Sequence, residues 1–182
     1  MPRLATVDPA VAEPPARALL GKVERALGTT PNMMRAMASS PAVLDAYLQF
    51  SGALSKGKLP GRVQEQIALV AAVENDCGYC LAAHTVLGAK AGVSEDDLAA
   101  GRSARASDPK TEAALTFAKA VITAKGFVSD DDLDAVRRAG YSDGEIGEIV
   151  AAVALNTFTN YFNSVGQTTL DFPEVPGVII SH

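Results

Sequence analysis

Five times the chain sets a serine or aspartate directly ahead of a helix-compatible stretch: Ser40-Pro41, Ser94-Glu95-Asp96-Asp97, Asp108-Pro109, Ser129-Asp130-Asp131-Asp132 and Ser142-Asp143-Gly144-Glu145. An oxygen at the position before a helix can accept one of the first N–H groups, which have no partner within the helix, and proline or an acidic residue suits the first turn. Such repeated punctuation predicts many separate helices and no sheet. The Ser-Asp-Asp starts lack calcium-loop spacing and read as helix caps. Filling in between them, helices are expected over Ala16 to Leu27, Pro31 to Met37, Pro41 to about Leu54, a stretch after Pro60 through Val73, a cysteine-bearing segment opened by Asp76 and ended by Gly92, a short one from Ser94, Pro109 to Ala124, Ser129 to Ala139, and Asp143 to about Ser164. Residues 1–15, with four prolines, are expected to form an extended arm lying on the body or on a neighbouring subunit, with residues 16–182 as one helical domain. The tail from Asp171 to Pro176 is expected to be extended.

Composition agrees with an all-α bundle. Alanine is abundant, aromatics are 5% of the 182 residues and tryptophan is absent, which favours closely packed helices. The net charge of −5 and pI near 5.0 provide no basic surface for nucleic acid or anionic lipid. No apolar run approaches the length of a bilayer span and the first fifteen residues lack a signal-peptide core, so a cytoplasmic protein with neither nucleic-acid nor membrane partners is expected. The aromatic stripe Phe158, Tyr161 and Phe162 is expected in the core or at a subunit interface, with the wall of an active-site pocket as the lesser alternative.

Both cysteines fall within Asp76-Cys77-Gly78-Tyr79-Cys80-Leu81-Ala82-Ala83-His84, and the single internal histidine follows the second cysteine by four residues. On a helix beginning near Asp76, Cys77, Cys80 and His84 share one face. The helix dipole favours a thiolate at Cys77, and a neighbouring imidazole lowers a thiol pKa further. In a reducing compartment such a pair is more often chemical than a permanent crosslink. Three readings fit the spacing: a redox-active dithiol, a zinc site completed by a carboxylate such as Glu65, or a buried structural pair. The zinc alternative would make the protein a non-catalytic binding or scaffold domain. Helical surroundings without a βαβ pattern exclude a thioredoxin fold.

The wider pattern is Glu65, eleven residues, Cys77-x-x-Cys80, three residues, His84. Together with Leu59-Pro60-Gly61-Arg62-Val63-Gln64-Glu65-Gln66-Ile67-Ala68, it resembles the alkylhydroperoxidase D and carboxymuconolactone decarboxylase-like superfamily, in its peroxidase-related branch. That resemblance, covering about residues 40 to 175, implies an all-helical fold, assembly into homotrimers or hexamers, and reduction of a hydroperoxide by a dithiol without haem, flavin or metal. It also implies site roles: Cys80 attacks the peroxide, Cys77 resolves the sulfenic acid, His84 and Glu65 relay protons, and a separate dithiol reductant restores the pair. Two departures stand out. Tyr79 occupies a position where alkylhydroperoxidase D has a histidine, and the cysteine pair itself argues against lactone decarboxylation.

Overall fold

The computed structural model describes residues 2–175, and these form nine helices and no strand. In chain order they are α1 (Pro14–Leu27), α2 (Asn32–Met37), α3 (Pro41–Leu54), α4 (Gly61–Glu74), α5 (Gly78–Lys90), α6 (Glu95–Gly101), α7 (Pro109–Thr123), α8 (Asp130–Arg138) and α9 (Asp143–Gly166). The all-α expectation holds. The caps act through the atoms expected of them: Ser94 and Asp108 accept from the N–H of Asp97 and Thr111, while Ser129 and Ser142 form reciprocal capping boxes with Asp132 and Glu145. Ser40 is the exception, since its side chain makes no cap bond although α3 does begin at Pro41.

The helix α4 lies at the centre. Every residue from Gln66 through Ala72 is buried, so this helix is covered on all sides. Leu69 and Ala72 face one hydrophobic cluster, built with α1, α2, α3 and α5, while Val63, Ile67 and Val70 face a second, built with α7, α8 and the first half of α9. One helix therefore serves as the wall between two half-cores, and truncating a fully buried residue such as Ile67 to alanine would cost about 2–5 kcal/mol. Of the long final helix α9, the first half packs Ile146, Ile149, Ala152 and Val153 into the second cluster, and the second half runs past α5.

Two boundaries differ from the sequence expectation. Helix α1 starts at Pro14, because Pro14 and Pro15 fit its first two positions, where an N–H has no partner to lose; the arm accordingly ends at Glu13. This arm lies on the body, with Arg3 N–H donating to Gly166 O at 2.7 Å and Val7 N–H to Arg35 O at 2.9 Å. Asp76, expected to cap the cysteine helix, instead takes a left-handed conformation at φ 53°. It closes α4: Asp76 N–H donates to Val73 O at 3.1 Å and Cys77 N–H to Ala72 O at 2.8 Å, the paired bonds of a Schellman motif. Cys77 is thereby both the residue that ends one helix and the N-cap of the next.

At the other end of the chain, Asp171 Oδ2 accepts the N–H of Asn32 at 2.6 Å and Thr169 O accepts from Asn32 Nδ2 at 3.0 Å, tying the extended tail to the start of α2. Pro176 and the residues after it lie outside the described residues. Among the described residues, no helix is long and apolar enough to cross a membrane.

Candidate functional site

The Schellman turn decides where the two sulfurs sit. As N-cap, Cys77 presents its Sγ to the N–H of Cys80 at 3.3 Å, so the first thiol occupies the place that a serine or aspartate oxygen fills at other helix starts. Cys80, one turn into α5, is 2% exposed, and Cys77 is 3% exposed. Both are free thiols. Ala82 and Ala83, next on the same helix, are small and buried, and both α4 and α9 pack against α5.

His84 follows on the same helix. Its Nδ1 meets Glu65 Oε2 of α4 at 2.7 Å, with both side chains about one-fifth exposed, at 20% and 24%. The structure thus brings together all four residues singled out in the sequence. Burial works against a charged imidazole at His84, but the Glu65 carboxylate, by charge and by hydrogen bond, outweighs it and holds the His84 pKa above the usual histidine value. With Nδ1 committed to Glu65, Nε2 is left to exchange protons with whatever occupies the adjacent space.

The two thiols are driven apart in acidity. Cys80 is brought down to about 6, first because the Cys77 thiol hydrogen-bonds to it; burial opposes this, and the charge of His84 and the amides of Asn160 and Asn163 assist. Cys77 moves above the ordinary cysteine range for the complementary reason: as the proton donor to Cys80 it would lose that bond on ionising, and burial adds to the penalty. Helix-dipole reasoning on the sequence favours a thiolate at Cys77; the structure favours it at Cys80, since Cys77 keeps its proton to donate it to Cys80 and the charge of His84 acts on Cys80.

A cavity of about 300 Å³ opens beside Cys80, His84 and Glu65. Its other walls are mainly apolar, among them Met33, Leu87 and Phe172, with Tyr47 and Tyr79 as aromatic sides. Tyr47 is pushed up to about 12, by burial first and then by the charges of Glu65 and Cys80, so it stays a neutral O–H at physiological pH. Tyr79 is likewise raised by burial. Its hydroxyl accepts the N–H of Met33 at 3.2 Å, and its ring meets Phe172 edge-on at 5.6 Å, so the residue between the cysteines ties α5 to α2 and to the tail.

Residues the sequence reading did not pick out complete the site from α9. Asn163 Nδ2 donates to Cys80 Sγ at 3.2 Å and to Met33 Sδ at 3.1 Å. Asn160, fully buried, accepts from Asn75 Nδ2 at 2.9 Å. A sequence signal exists for them: from Ile149 to Leu170 there is no charged residue, yet Asn156, Asn160 and Asn163 recur at helical spacing. By contrast, Phe158 and Tyr161 are 40% and 58% exposed and do not belong to the core, Phe162 packs against the first cluster, and none of the three lines the cavity. Among the described residues no group of three or more His, Cys, Asp and Glu side chains is arranged to hold a metal ion, which leaves the zinc alternative without geometric support.

Comparison with known proteins places these features. Residues 41–123, which carry Glu65, both cysteines and His84, match the Carboxymuconolactone decarboxylase family. No curated protein matches the chain in sequence. Among solved structures, an uncharacterized peroxidase-related protein from Ralstonia eutropha JMP134, described as an alkylhydroperoxidase AhpD core, superposes with a TM-score of 0.85 at 23% identity, over 93% of this chain and 92% of that one. The debrominase Bmp8, as a variant in complex with 2,3,4-tribromopyrrole, gives 0.80 at 21% identity over 93% and 91%. A peroxidase-related protein from Silicibacter sp. TM1040 gives 0.79 at 22% identity over 92% of each chain. At these identities the likeness speaks for the fold.

Proposed function

We propose, on the premise that this chain belongs to the alkylhydroperoxidase D and carboxymuconolactone decarboxylase superfamily, that it is a thiol-dependent peroxidase acting on organic hydroperoxides through a Cys77–Cys80 dithiol. The observation that carries this reading is a pair of adjacent buried thiols of split acidity, the more acidic of which, Cys80, lies at the wall of a mainly apolar cavity with the His84 and Glu65 pair beside it.

In the proposed cycle the Cys80 thiolate attacks the terminal oxygen of the hydroperoxide. The O–O bond breaks, Cys80 becomes a sulfenic acid, and the alkoxide leaves as the alcohol after taking a proton from His84, whose positive charge Glu65 supports. Cys77 then gives up its proton, its sulfur attacks the Cys80 sulfenic sulfur, and hydroxide departs as water. The sum is two thiols and one hydroperoxide giving one disulfide, one alcohol and one water. An external dithiol, in a reducing cytoplasm, restores the pair. Apolar walls favour an alkyl or aryl hydroperoxide over hydrogen peroxide. We also read the exposed, uncharged outer face of α9, with Val150, Phe158, Tyr161 and Val165, as a contact between copies of this chain in a homo-oligomer.

The test is stopped-flow mixing of the reduced protein with cumene hydroperoxide, with thiols counted and intact mass recorded at matched times. Rapid loss of two thiols and two mass units per chain, abolished in Cys80→Ser, is the expected result. Reaction no faster than that of free cysteine would overturn the reading.

A second reading is favoured by the aromatic sides of the cavity, Tyr47, Tyr79 and Phe172, which suit a flat ring. There the dithiol would supply two electrons to a halogenated aromatic, yielding the disulfide, the dehalogenated ring and hydrogen halide. Bromide release from a bromopyrrole, dependent on Cys80, would select it.

A further inference from the structure

Asn156, Asn160 and Asn163 lie along one side of α9, and all three are buried, but they use their amides differently. Asn156 turns its Nδ2 back onto its own helix, donating to Ala152 O at 2.9 Å. Asn163 instead spends its Nδ2 on two sulfurs, Cys80 Sγ at 3.2 Å and Met33 Sδ at 3.1 Å. Asn160 is anchored through its oxygen, which accepts from Asn75 Nδ2 at 2.9 Å, leaving its Nδ2 as the free donor of a side chain that lies within reach of both sulfurs. In the dithiol state that Nδ2 has no hydrogen-bond acceptor although the residue is 0% exposed. A buried N–H left unpaired is unfavourable, and neutral thiol sulfur is a weak acceptor, whereas a thiolate is a strong one.

We propose that Asn163 and Asn160 form a two-donor cradle for negative charge on the dithiol, Asn163 serving Cys80 and Asn160 serving Cys77. An amide suits this task because it donates without carrying a charge of its own and does not titrate. Asn163 touches Cys80 directly and is the donor present when Cys80 ionises to attack. Asn160 lies beside both sulfurs, and once Cys80 has become a sulfenic acid, Cys77 is the sulfur that must become anionic. This assignment of the donors to attack and resolution rests on the peroxidase reading; the cradle itself does not. Asn75, in the turn that ends α4, acts through Asn160 as a positioning residue.

The titratable groups around Cys80 are Cys77, Tyr79 and His84 from its own element and the turn before it, with Glu65 from α4 and Tyr47 from α3. Between Ile149 and its end at Gly166, α9 carries no charged residue, and its one phenol, Tyr161, lies exposed on the outer face away from the cavity, so the effect of α9 on thiol acidity comes through the amides.

The experiment is the pH dependence of alkylation by iodoacetamide, read by intact mass, with one sulfur isolated at a time. In a Cys77→Ser background, Asn163→Leu should raise the alkylation midpoint of Cys80 by about one to two pH units, the size expected for losing a hydrogen bond to a charged group. Asn163→Ser, smaller and unable to crowd the core, should do the same if the leucine variant does not fold. In a Cys80→Ser background, Asn160→Leu or Asn160→Ser should raise the midpoint of Cys77. A folded variant whose midpoint stays within a few tenths of a unit of its parent overturns the assignment for that residue. Since no peroxide is involved, a shifted midpoint in a protein inert to cumene hydroperoxide would uphold the cradle while removing the peroxidase reading.

Discussion

Glu65 on α4 holds His84 of α5 through Nδ1 at 2.7 Å, nineteen residues apart in sequence and joined by the packing of those two helices. The contact fixes which ring nitrogen faces the cavity and keeps the imidazole protonated to higher pH than an isolated histidine.

From this follows a bell-shaped rate. Cys80 must be a thiolate, so peroxide reduction should rise as pH passes about 6. His84 must hold its proton to deliver it to the alkoxide, so the rate should fall as pH rises through the raised His84 pKa. Glu65→Gln removes the carboxylate that raises this pKa, and the descending limb should move to lower pH. His84→Gln should lower kcat/KM by about 10²-fold or more and abolish the descending limb. An unmoved descending limb in Glu65→Gln would show that another group supplies the proton.

Tyr79 replaces a histidine found in alkylhydroperoxidase D, but its buried phenol is held above its ordinary pKa and accepts a backbone N–H. Its part here is structural. Tyr79→Phe should lower stability by about 1–3 kcal/mol, because Met33 N–H loses its acceptor inside the protein, while the Cys80 alkylation midpoint stays in place. Urea unfolding and iodoacetamide titration on the same sample check both halves, and a changed pH–rate profile with unchanged stability would make Tyr79 a proton donor after all.

Asp76 sits at φ 53°, a conformation that glycine adopts freely and β-branched residues resist. Asp76→Gly should therefore be neutral or slightly stabilising, and Asp76→Val should cost about 1–2 kcal/mol. If Asp76 were the N-cap of α5, valine would cost no more than the loss of one cap bond, and the glycine variant would gain nothing. Thermal melts of the two variants separate the possibilities.

Phe158 and Tyr161 expose large rings on a helix face without charge. Placing a carboxylate there, as Tyr161→Glu, should shift the mass measured by light scattering from an oligomer toward a single chain, with the Cys80 alkylation midpoint preserved. A wild-type protein already at 18.8 kDa would remove the proposed contact.

Much of this architecture could be read before any coordinates. Ser94, Asp108, Ser129 and Ser142 act on N–H groups three residues away, and such local bonds are written in the order of the chain. The spacing Cys80 to His84 is equally local, as both lie on one helix. Asp76 misled because Asp is suited both to capping a helix start and to a left-handed turn, and only the end of α4, arriving at Asn75, selects between them. Which cysteine is acidic follows first from the Cys77 thiol donating to Cys80, an arrangement set where the end of α4 meets the start of α5, and partners from afar add to it: Glu65 supports the charge of His84, and Asn163 comes from eighty-three residues downstream. Sequence alone determined the helices and the candidate residues for the chemistry, because caps and i, i+4 spacings act within a few residues. The tertiary structure decided how that chemistry is tuned, because charge, burial and hydrogen-bond donors act through space, and only the packing of α9 and α4 on α5 brings them to one sulfur.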